Sequence, residues 1–368
     1  MIPRRFADDP LRPSIVMTDD HRGHPVVEII RRRRAEGSRP GERHDGRRVA
    51  LAIEGGGMRG VVSAGMTAAL EQLGLRDSFD EIHGASAGAF NAAFLLADQA
   101  AYLTTLYQYG FGDPRFVSAL RALRGGPLFD MDYVIGEVWS SRRPLRFDAI
   151  LSSPIDLHCT ATDADRVEIV DLTELRDDEE IKCALRASAR LPWLAGPPVH
   201  FRGRRLLDAT LAEAIPVHAA FRSATDVLVL QTRPQGIHHA PLSAGVARLS
   251  DRYLRSVNPA LVQLRRSRSE RYDKLSARLT ARAAAVKDSP TVCVIRPPAD
   301  ALLIGQLEAR ASALQMAGSH GFRAAWMALE GEDPELVATL RAYPRSTAGS
   351  ETEDTLSPAA TATRWSGS

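Results

Sequence analysis

Two short apolar stretches in this chain each run into a glycine-containing turn, and each turn is followed by a helical pattern. The predicted order is strand Val49–Ile53, helix Val61–Leu73, strand Glu81–His83 and helix Ala87–Leu106. Apolar positions at helical spacing mark the first helix, and alanines dominate the second. A strand–helix–strand–helix run of this kind requires a parallel sheet covered by helices. We therefore predict the α/β fold class, with a mostly parallel central sheet in three α/β/α layers.

The amino-acid composition argues against several classes of protein. Its 368 residues, 44% of them hydrophobic, are enough to bury a core without metals or disulfides. The three cysteines are odd in number and form no CxxC pair, which argues against a disulfide framework and a structural zinc site. A formal net charge of +2 argues against a strongly basic nucleic-acid binder. The start of the chain lacks the apolar run of a signal peptide, and we expect no transmembrane helix and a cytoplasmic location.

Composition also divides the chain into four parts. Residues 1–48 are rich in Arg, Pro and acidic residues, with one short apolar run around Val26–Ile30. They predict a poorly ordered basic N-terminal arm that can include one short helix. A folded core is expected over residues 49–235, and a helical C-terminal part packed on it over residues 236–343. Residues 344–368, rich in Ser, Thr, Ala and Gly, predict a disordered tail.

Further elements follow the first four. Strands are predicted at Asp156–Thr162, Val167–Val170, Leu206–Leu207, Val227–Gln231 and Val292–Arg296, and helices at Ile181–Ala189, Ala244–Val257, Pro259–Val286 and Gly305–Leu329. The two central helices of the last group carry many arginines. Such a basic amphipathic pair can lie on anionic lipid. The alternative, which we favour, is a solvated outer face packed over the sheet.

The first glycine turn, Gly55-Gly56-Gly57-Met58-Arg59-Gly60, satisfies the GxGxxG pattern between a strand and a helix. Amides at such a turn suit a pyrophosphate, and they equally suit the oxyanion of a tetrahedral acyl intermediate. A dinucleotide site needs an acidic residue at the end of the second strand. Here that strand ends in His83-Gly84-Ala85-Ser86 instead.

The second turn, Gly84-Ala85-Ser86-Ala87-Gly88, is a GxSxG nucleophile elbow between a strand and a helix. Small flanking residues permit the tight turn that exposes a serine hydroxyl. Because neighbouring parallel strands end at the same edge of a sheet, Ser86 is expected to face the amides of the first turn. The two motifs together are much more specific than either alone.

A serine nucleophile needs a base. None of the ten histidines lies in a convincing loop after a late strand. Asp208 comes at the end of a short predicted strand and is the remaining candidate.

With these three motifs in this order, the chain resembles the patatin-like phospholipase family. Supporting similarities lie at Pro127–Asp130, Thr162-Asp163 and Arg186–Pro192, and the resemblance covers about residues 49–235. The family's aspartate motif usually reads Asp-Gly-Gly or Asp-Gly-Ala, whereas this chain has Asp208-Ala209-Thr210. A different turn after Asp208 is therefore expected.

The resemblance implies a bacterial-type serine acyl hydrolase with a Ser–Asp dyad. Ser86 would be the nucleophile and Asp208 the base. The amides of Gly55, Gly56, Gly57 and Met58 would form the oxyanion hole, Arg59 and Gly60 would support that loop, and Gly84 and Gly88 would shape the elbow. Lipid esters such as phospholipids are the implied substrates, met at an anionic membrane surface by peripheral contact. No cofactor, metal or nucleic acid is implied.

Three alternatives remain open at this point. A binding or regulatory module would keep the site without turnover, because of Ala209 and Thr210. A transacylase would pass the acyl group to an alcohol with the same dyad. The glycine pattern alone also admits a dinucleotide-binding oxidoreductase.

Overall fold

The structure is a computed structural model that describes residues 21, 23–110, 113–142, 144–237, 243–286 and 289–334. Within them the strands are β1 (Val49–Ile53), β2 (Glu81–Ala85), β3 (Asp156–Asp163), β4 (Glu168–Leu172), β5 (Val199–Phe201), β6 (Arg204–Leu207), β7 (Asp226–Leu230) and β8 (Thr291–Ile295). The α-helices are α1 (Pro25–Ala35), α2 (Val61–Gln72), α3 (Ala87–Leu96), α4 (Ala100–Thr105), α5 (Ala119–Leu123), α6 (Phe147–Leu151), α7 (Asp178–Ser188), α8 (Ala220–Ser223), α9 (Ala244–Val257), α10 (Ala260–Arg266), α11 (Arg268–Ala284) and α12 (Ala311–Glu330).

The strands form one central sheet in the order β5-β6-β3-β2-β1-β7-β8, with β4 paired to β3. Five neighbouring strands, β3, β2, β1, β7 and β8, are parallel to one another. The strands β4, β5 and β6 pair antiparallel. The predicted α/β class with a mostly parallel sheet is confirmed. In this order β1 and β2 are neighbours, so the two glycine turns that follow them lie at the same edge.

Helices cover both faces of the sheet because side chains on a strand alternate between faces. Leu51 and Ile53 of β1 enter the larger core, to which α2, α3 and α12 contribute. Ala50 and Ala52 point the other way, into a smaller core with Tyr272 and Leu279 of α11. β1 is buried along its whole length, which explains its continuous apolar sequence.

Several boundaries differ from the sequence predictions. The helix predicted over Ala87–Leu106 is broken into α3 and α4, with Asp98 between them at a φ of 54°. α12 begins six residues later than the predicted Gly305, at Ala311. The three-residue strand β5 was not predicted, because it is too short to show a period.

The N-terminal arm, expected to be poorly ordered apart from one short helix, contains helix α1 in its described part. Helix α1 packs into the larger core through Val26 and Ile30, both fully buried. Arg33, only 1% exposed, donates to Asp45 and Asp80. A run of four arginines looks solvated in the sequence, but one of them is the centre of an ion-pair network. Residues 1–20 lie outside the described residues.

The arginine-rich C-terminal helices pack on the sheet. Tyr272 and Leu279 of α11 are buried, and Arg265 and Arg266 of α10 both pair with Asp251 of α9. This arrangement agrees with the favoured outer-face interpretation. Residues 344–368, the predicted tail, lie outside the described residues. In the described part of the chain, no helix has the length and hydrophobicity needed to cross a bilayer.

Candidate active site

Ser86 stands at the sharp turn between β2 and α3. Its φ of 54° and ψ of −121° are unusual for a residue with a side chain, and such strain is common where a side chain must be aimed. Gly84 lies within β2 and Gly88 in the first turn of α3. A Cβ on Gly88 would lie 2.2 Å from the carbonyl oxygen of Ile53 in β1, so the elbow packs directly on the neighbouring strand.

The Ser86 hydroxyl donates a hydrogen bond to Oδ2 of Asp208 over 2.8 Å. Asp208 follows β6 and is fully buried, and Ser86 is 4% exposed. The structure therefore brings the two residues singled out as nucleophile and base into direct contact, 122 positions apart in the chain.

The turn after Asp208 accommodates Ala209 and Thr210 without a left-handed residue, since residues 209–211 form a short 3₁₀ helix. Asp208 caps this helix. Its Oδ1 accepts hydrogen bonds from the Thr210 amide at 2.8 Å and the Thr210 hydroxyl at 2.5 Å. Thr210 thus fixes one carboxylate oxygen of Asp208 while the other faces Ser86.

The glycine loop lies against the elbow, and only glycine fits at its start. A Cβ on Gly55 would lie 2.1 Å from the carbonyl oxygen of Ala85. Residues Gly57–Gly60 form a 3₁₀ turn that leads into α2. Gly57 and Met58 line the same small cavity as Ser86.

Two of the four amides predicted for the oxyanion hole are already bonded within the protein. The Gly55 amide donates to the Ala214 carbonyl at 3.1 Å, and the Met58 amide donates to the Gln306 carbonyl at 3.0 Å. The amides of Gly56 and Gly57 donate to no backbone carbonyl of the described residues. Both acceptors come from distant parts of the chain, which is why the sequence could not distinguish among the four amides.

The cavity beside Ser86 is small and apolar, with a volume of about 50 Å³. Besides Ser86 and the glycine loop it is lined by Ala87, Phe90, Tyr107, Phe116, Phe129, Met131, Ala189, Leu191 and Gln306. Phe90 comes from α3, the helix after Ser86, and Phe116 comes from the segment before α5.

Residues 51–221, which contain the elbow, the glycine loop and Asp208, match the family model of patatin-like phospholipases. This stretch is a patatin-like phospholipase domain. The match concerns this stretch, which is just under half of the chain.

A curated relative of the chain is distant in sequence. The uncharacterized protein YjjU of Escherichia coli (strain K12) is 29% identical over 199 residues, which are 53% of this chain and 54% of YjjU. The match thus spans about half the length of this curated relative.

Two solved structures share a low similarity with the chain. VipD from Legionella pneumophila has a TM-score of 0.36 at 12% identity, covering 77% of this chain and 67% of VipD. ExoU from the type III secretion system of Pseudomonas aeruginosa, solved with SpcU, has a TM-score of 0.24 at 15% identity, covering 78% of this chain and 71% of ExoU. Both similarities are too low to support a statement about function.

Electrostatics in the patatin-like domain favour Asp208 as a proton acceptor. Complete burial raises the pKa of the Asp208 carboxyl above its ordinary value. Hydrogen bonds from Thr210 and Ser86 and the positive charge of Arg268 act in the opposite direction. A carboxylate with a raised pKa accepts a proton more readily than one in water.

Arg59 and Gly60 tie the glycine loop to its surroundings. The buried Arg59 side chain donates to the Thr232 hydroxyl at 3.0 Å, just after β7. Burial and the like charge of Arg233 lower the pKa of Arg59 to about 10, so the side chain stays charged at neutral pH. The Gly60 carbonyl accepts a hydrogen bond from Asn91 of α3 at 2.9 Å.

Ser188 has a contact that the sequence did not predict. Its hydroxyl oxygen accepts a hydrogen bond from the Ser86 amide at 2.8 Å. In the sequence, the surrounding motif Arg186–Pro192 was only a supporting similarity, with no contact to Ser86 assigned to it. Thr162, in another supporting motif, donates to the backbone carbonyl of Asp208 at 2.8 Å. Each contact anchors the backbone of one dyad residue, Ser188 that of Ser86 and Thr162 that of Asp208.

Proposed function

We propose that the protein is a serine acyl hydrolase that cleaves carboxylic esters of lipids, in the manner of a phospholipase A or lysophospholipase. The observation that carries this proposal is the 2.8 Å hydrogen bond between the strained Ser86 and the buried Asp208. The family match of residues 51–221 supports a lipid as the substrate class. The protein would meet that lipid by peripheral contact, and we keep a cytoplasmic location as part of the proposal.

In the first step, Ser86 Oγ attacks the ester carbonyl carbon while its proton passes to Asp208 Oδ2. The carbonyl π electrons move to oxygen and form a tetrahedral oxyanion. Asp208 then gives the proton to the departing alcohol oxygen as the ester C–O bond breaks. This leaves an acyl group on Ser86 and an ionised Asp208.

In the second step, a water molecule replaces the alcohol. Asp208 takes one proton from the water as it attacks the acyl carbon, and returns that proton to Ser86 Oγ as the acyl bond breaks. The products are a fatty acid and the free enzyme. Every proton moves through one carboxylate, so no histidine is required.

The oxyanion is held by backbone amides in this proposal. Gly56 and Gly57 are the best donors of the four predicted amides, because those of Gly55 and Met58 already donate to carbonyls. One well-placed donor of this kind contributes about 3 kcal/mol to transition-state stabilisation. The start of the acyl chain would enter the apolar cavity lined by Phe90, Phe116 and Phe129.

Labelling with a fluorophosphonate and ester hydrolysis test this proposal together. The wild-type protein should be labelled and the Ser86→Ala variant should not. Asp208→Asn should fold normally and lose about 10² to 10⁴ in kcat/KM, the usual effect of removing a general base. Chromatography of the products separates hydrolysis from transfer to an added alcohol.

The matched control is Asp163→Asn. Asp163 is also a buried aspartate at a strand end, but its Oδ1 accepts from the amides of Asp165 and Arg166. It therefore has a turn role, and its variant should keep activity within a few-fold. Absence of labelling in a folded wild-type protein, or near-normal turnover in Asp208→Asn, would contradict the dyad.

A further inference from the structure

Residues 301–308, which we call the strap, lie over the glycine loop. The Gln306 carbonyl accepts the hydrogen bond of the Met58 amide at 3.0 Å. A Cβ on Gly57 would lie only 2.7 Å from the same carbonyl oxygen, so the two backbones are in close contact. Gln306 also lines the cavity that contains Ser86. The strap thus forms one wall of the candidate active site.

The strap is held by few side chains and exposes several large apolar ones. Ala301 and Ile304 are buried, with 8% and 6% exposure. Leu302, Leu303 and Leu307 are exposed by 38%, 54% and 60%. A single exposed leucine is ordinary on a protein surface. Three exposed leucines within six residues, beside an apolar cavity, indicate a surface that contacts an apolar partner.

A second exposed apolar segment borders the same cavity. Phe116 lines the cavity, and the bridge between Val117 and Phe129 fixes the chain just before α5. In α5, Leu120 and Leu123 are 56% and 85% exposed. The next residue, Arg124, is exposed and forms no ion pair with the described part of the chain.

We infer that the strap and α5 together form a surface that contacts a lipid bilayer, and that this contact draws the strap away from the glycine loop. This inference rests on the proposed function, since a lipid hydrolase takes its substrate from such a surface. Exposed leucines around a cavity fit acyl chains, and Arg124 complements anionic headgroups. We call the surface formed by residues 301–308 and 119–124 the lipid-facing rim.

Movement of the strap would change the site in two ways. The Met58 amide would lose its carbonyl partner and become a third donor beside Gly56 and Gly57. The cavity, now about 50 Å³, would lose the wall that Gln306 provides and would admit a longer acyl chain. Hydrolysis of lipid in vesicles should therefore depend on the rim, whereas hydrolysis of a short water-soluble ester should not.

Vesicle binding tests the surface without any catalysis. All measurements use the full chain with Ser86→Ala, so that the vesicles stay intact. Flotation with phosphatidylcholine vesicles containing phosphatidylglycerol should show binding. Adding Leu303→Ser and Leu307→Ser together should reduce the partition coefficient at least tenfold, and pure phosphatidylcholine should bind the unaltered rim more weakly.

The matched control is Leu151→Ser. Leu151 is 40% exposed and ends α6, shortly before β3 begins. It therefore lies near the opposite edge of the sheet from Ser86, and its loss should leave vesicle binding unchanged. Equal binding of the rim variant and the control, with thermal unfolding showing both to be folded, would overturn the lipid surface.

Hydrogen exchange tests the strap movement. In the same Ser86→Ala chain, peptides covering residues 56–60 and 301–308 should exchange faster with vesicles than without them. Unchanged exchange in vesicle-bound protein would overturn the displacement. Because these measurements need no turnover, they separate failure of this inference from failure of the proposed hydrolase activity.

Discussion

At the scale of single residues, the two carboxylate oxygens of Asp208 have different roles. Oδ2 receives the Ser86 hydroxyl, and Oδ1 is held by the amide and hydroxyl of Thr210. An aspartate that only capped a turn would need just the second set of contacts. Thr210 therefore both positions the carboxylate and sets how strongly it holds a proton.

This double role predicts a change in pH dependence for Thr210→Val. The Thr210 hydroxyl is the strongest of the contacts that lower the pKa of Asp208, so its removal should raise that pKa further. Asp208 must be ionised to accept the Ser86 proton, and activity falls as pH drops through its pKa. The acid limb of kcat/KM for a water-soluble ester should therefore move to higher pH in the variant.

Thr210→Ser is the matched control, because it keeps the hydroxyl. Its acid limb should stay near that of the wild-type protein. An acid limb that does not move in Thr210→Val, or moves to lower pH, would show that the hydroxyl does not stabilise the ionised carboxylate.

The pairing of Ser86 with Asp208 was predictable, because each residue sits in a short motif at the end of a strand. The partners of the backbone amides around them were not. Ser188 accepts from the Ser86 amide across 102 positions, and Gln306 accepts from Met58 across an even longer stretch. Such contacts depend on how distant loops pack, and no local pattern of residue types encodes them.

At the scale of elements, α2 and α12 pack with their backbones in contact. A Cβ on Gly321 of α12 would lie 1.9 Å from the carbonyl oxygen of Val62, and one on Gly65 of α2 would lie 2.0 Å from that of Gly318. Since α2 continues directly from the glycine loop, this helix pair holds the loop in place. α12 also follows the strap, so the pair anchors both walls of the cavity.

Gly321→Ala should accordingly push the two helices apart. Overpacking of this kind typically lowers the free energy of unfolding by about 1–3 kcal/mol. Gly245→Ala in α9 is the control, because its Cβ would meet nothing within 4 Å. That substitution should leave stability unchanged or raise it by up to about 1 kcal/mol. Chemical denaturation measures both, and equal stability of the two variants would show that α2 and α12 can separate at no cost.

Elements with a clear periodicity of apolar residues were predictable from the sequence. Elements defined by tertiary contacts were not. β1, β2 and α2 show their patterns plainly, and the structure has them within a few residues of the predicted positions. Helix α1 showed only a short apolar run, and the burial of Val26 and Ile30 depends on packing against the core, which the sequence pattern does not show. The break at Asp98 between α3 and α4 likewise has no glycine or proline to mark it.

At the scale of the whole molecule, the sheet and core of the patatin-like domain continue past residue 221. The family match ends at residue 221, before β7 and β8. β7 pairs with β1, and β8 then pairs with β7 at the edge of the sheet. Ile295 of β8 and Phe322 of α12 belong to the same core cluster as Leu51 and Ile53 of β1. We therefore propose that residues 236–334 are an integral part of the core and not an addition to its surface.

A chain shortened to end at residue 235, the boundary expected from the sequence, tests this proposal. It would expose the β7 edge and the faces of α2 that α12 covers, which removes much of the larger core's burial. We expect no cooperative thermal transition in circular dichroism for the shortened chain, and a single transition for the full chain. A cooperative transition in the shortened chain, together with retained fluorophosphonate labelling of Ser86, would show instead that residues 49–235 fold and assemble the dyad by themselves.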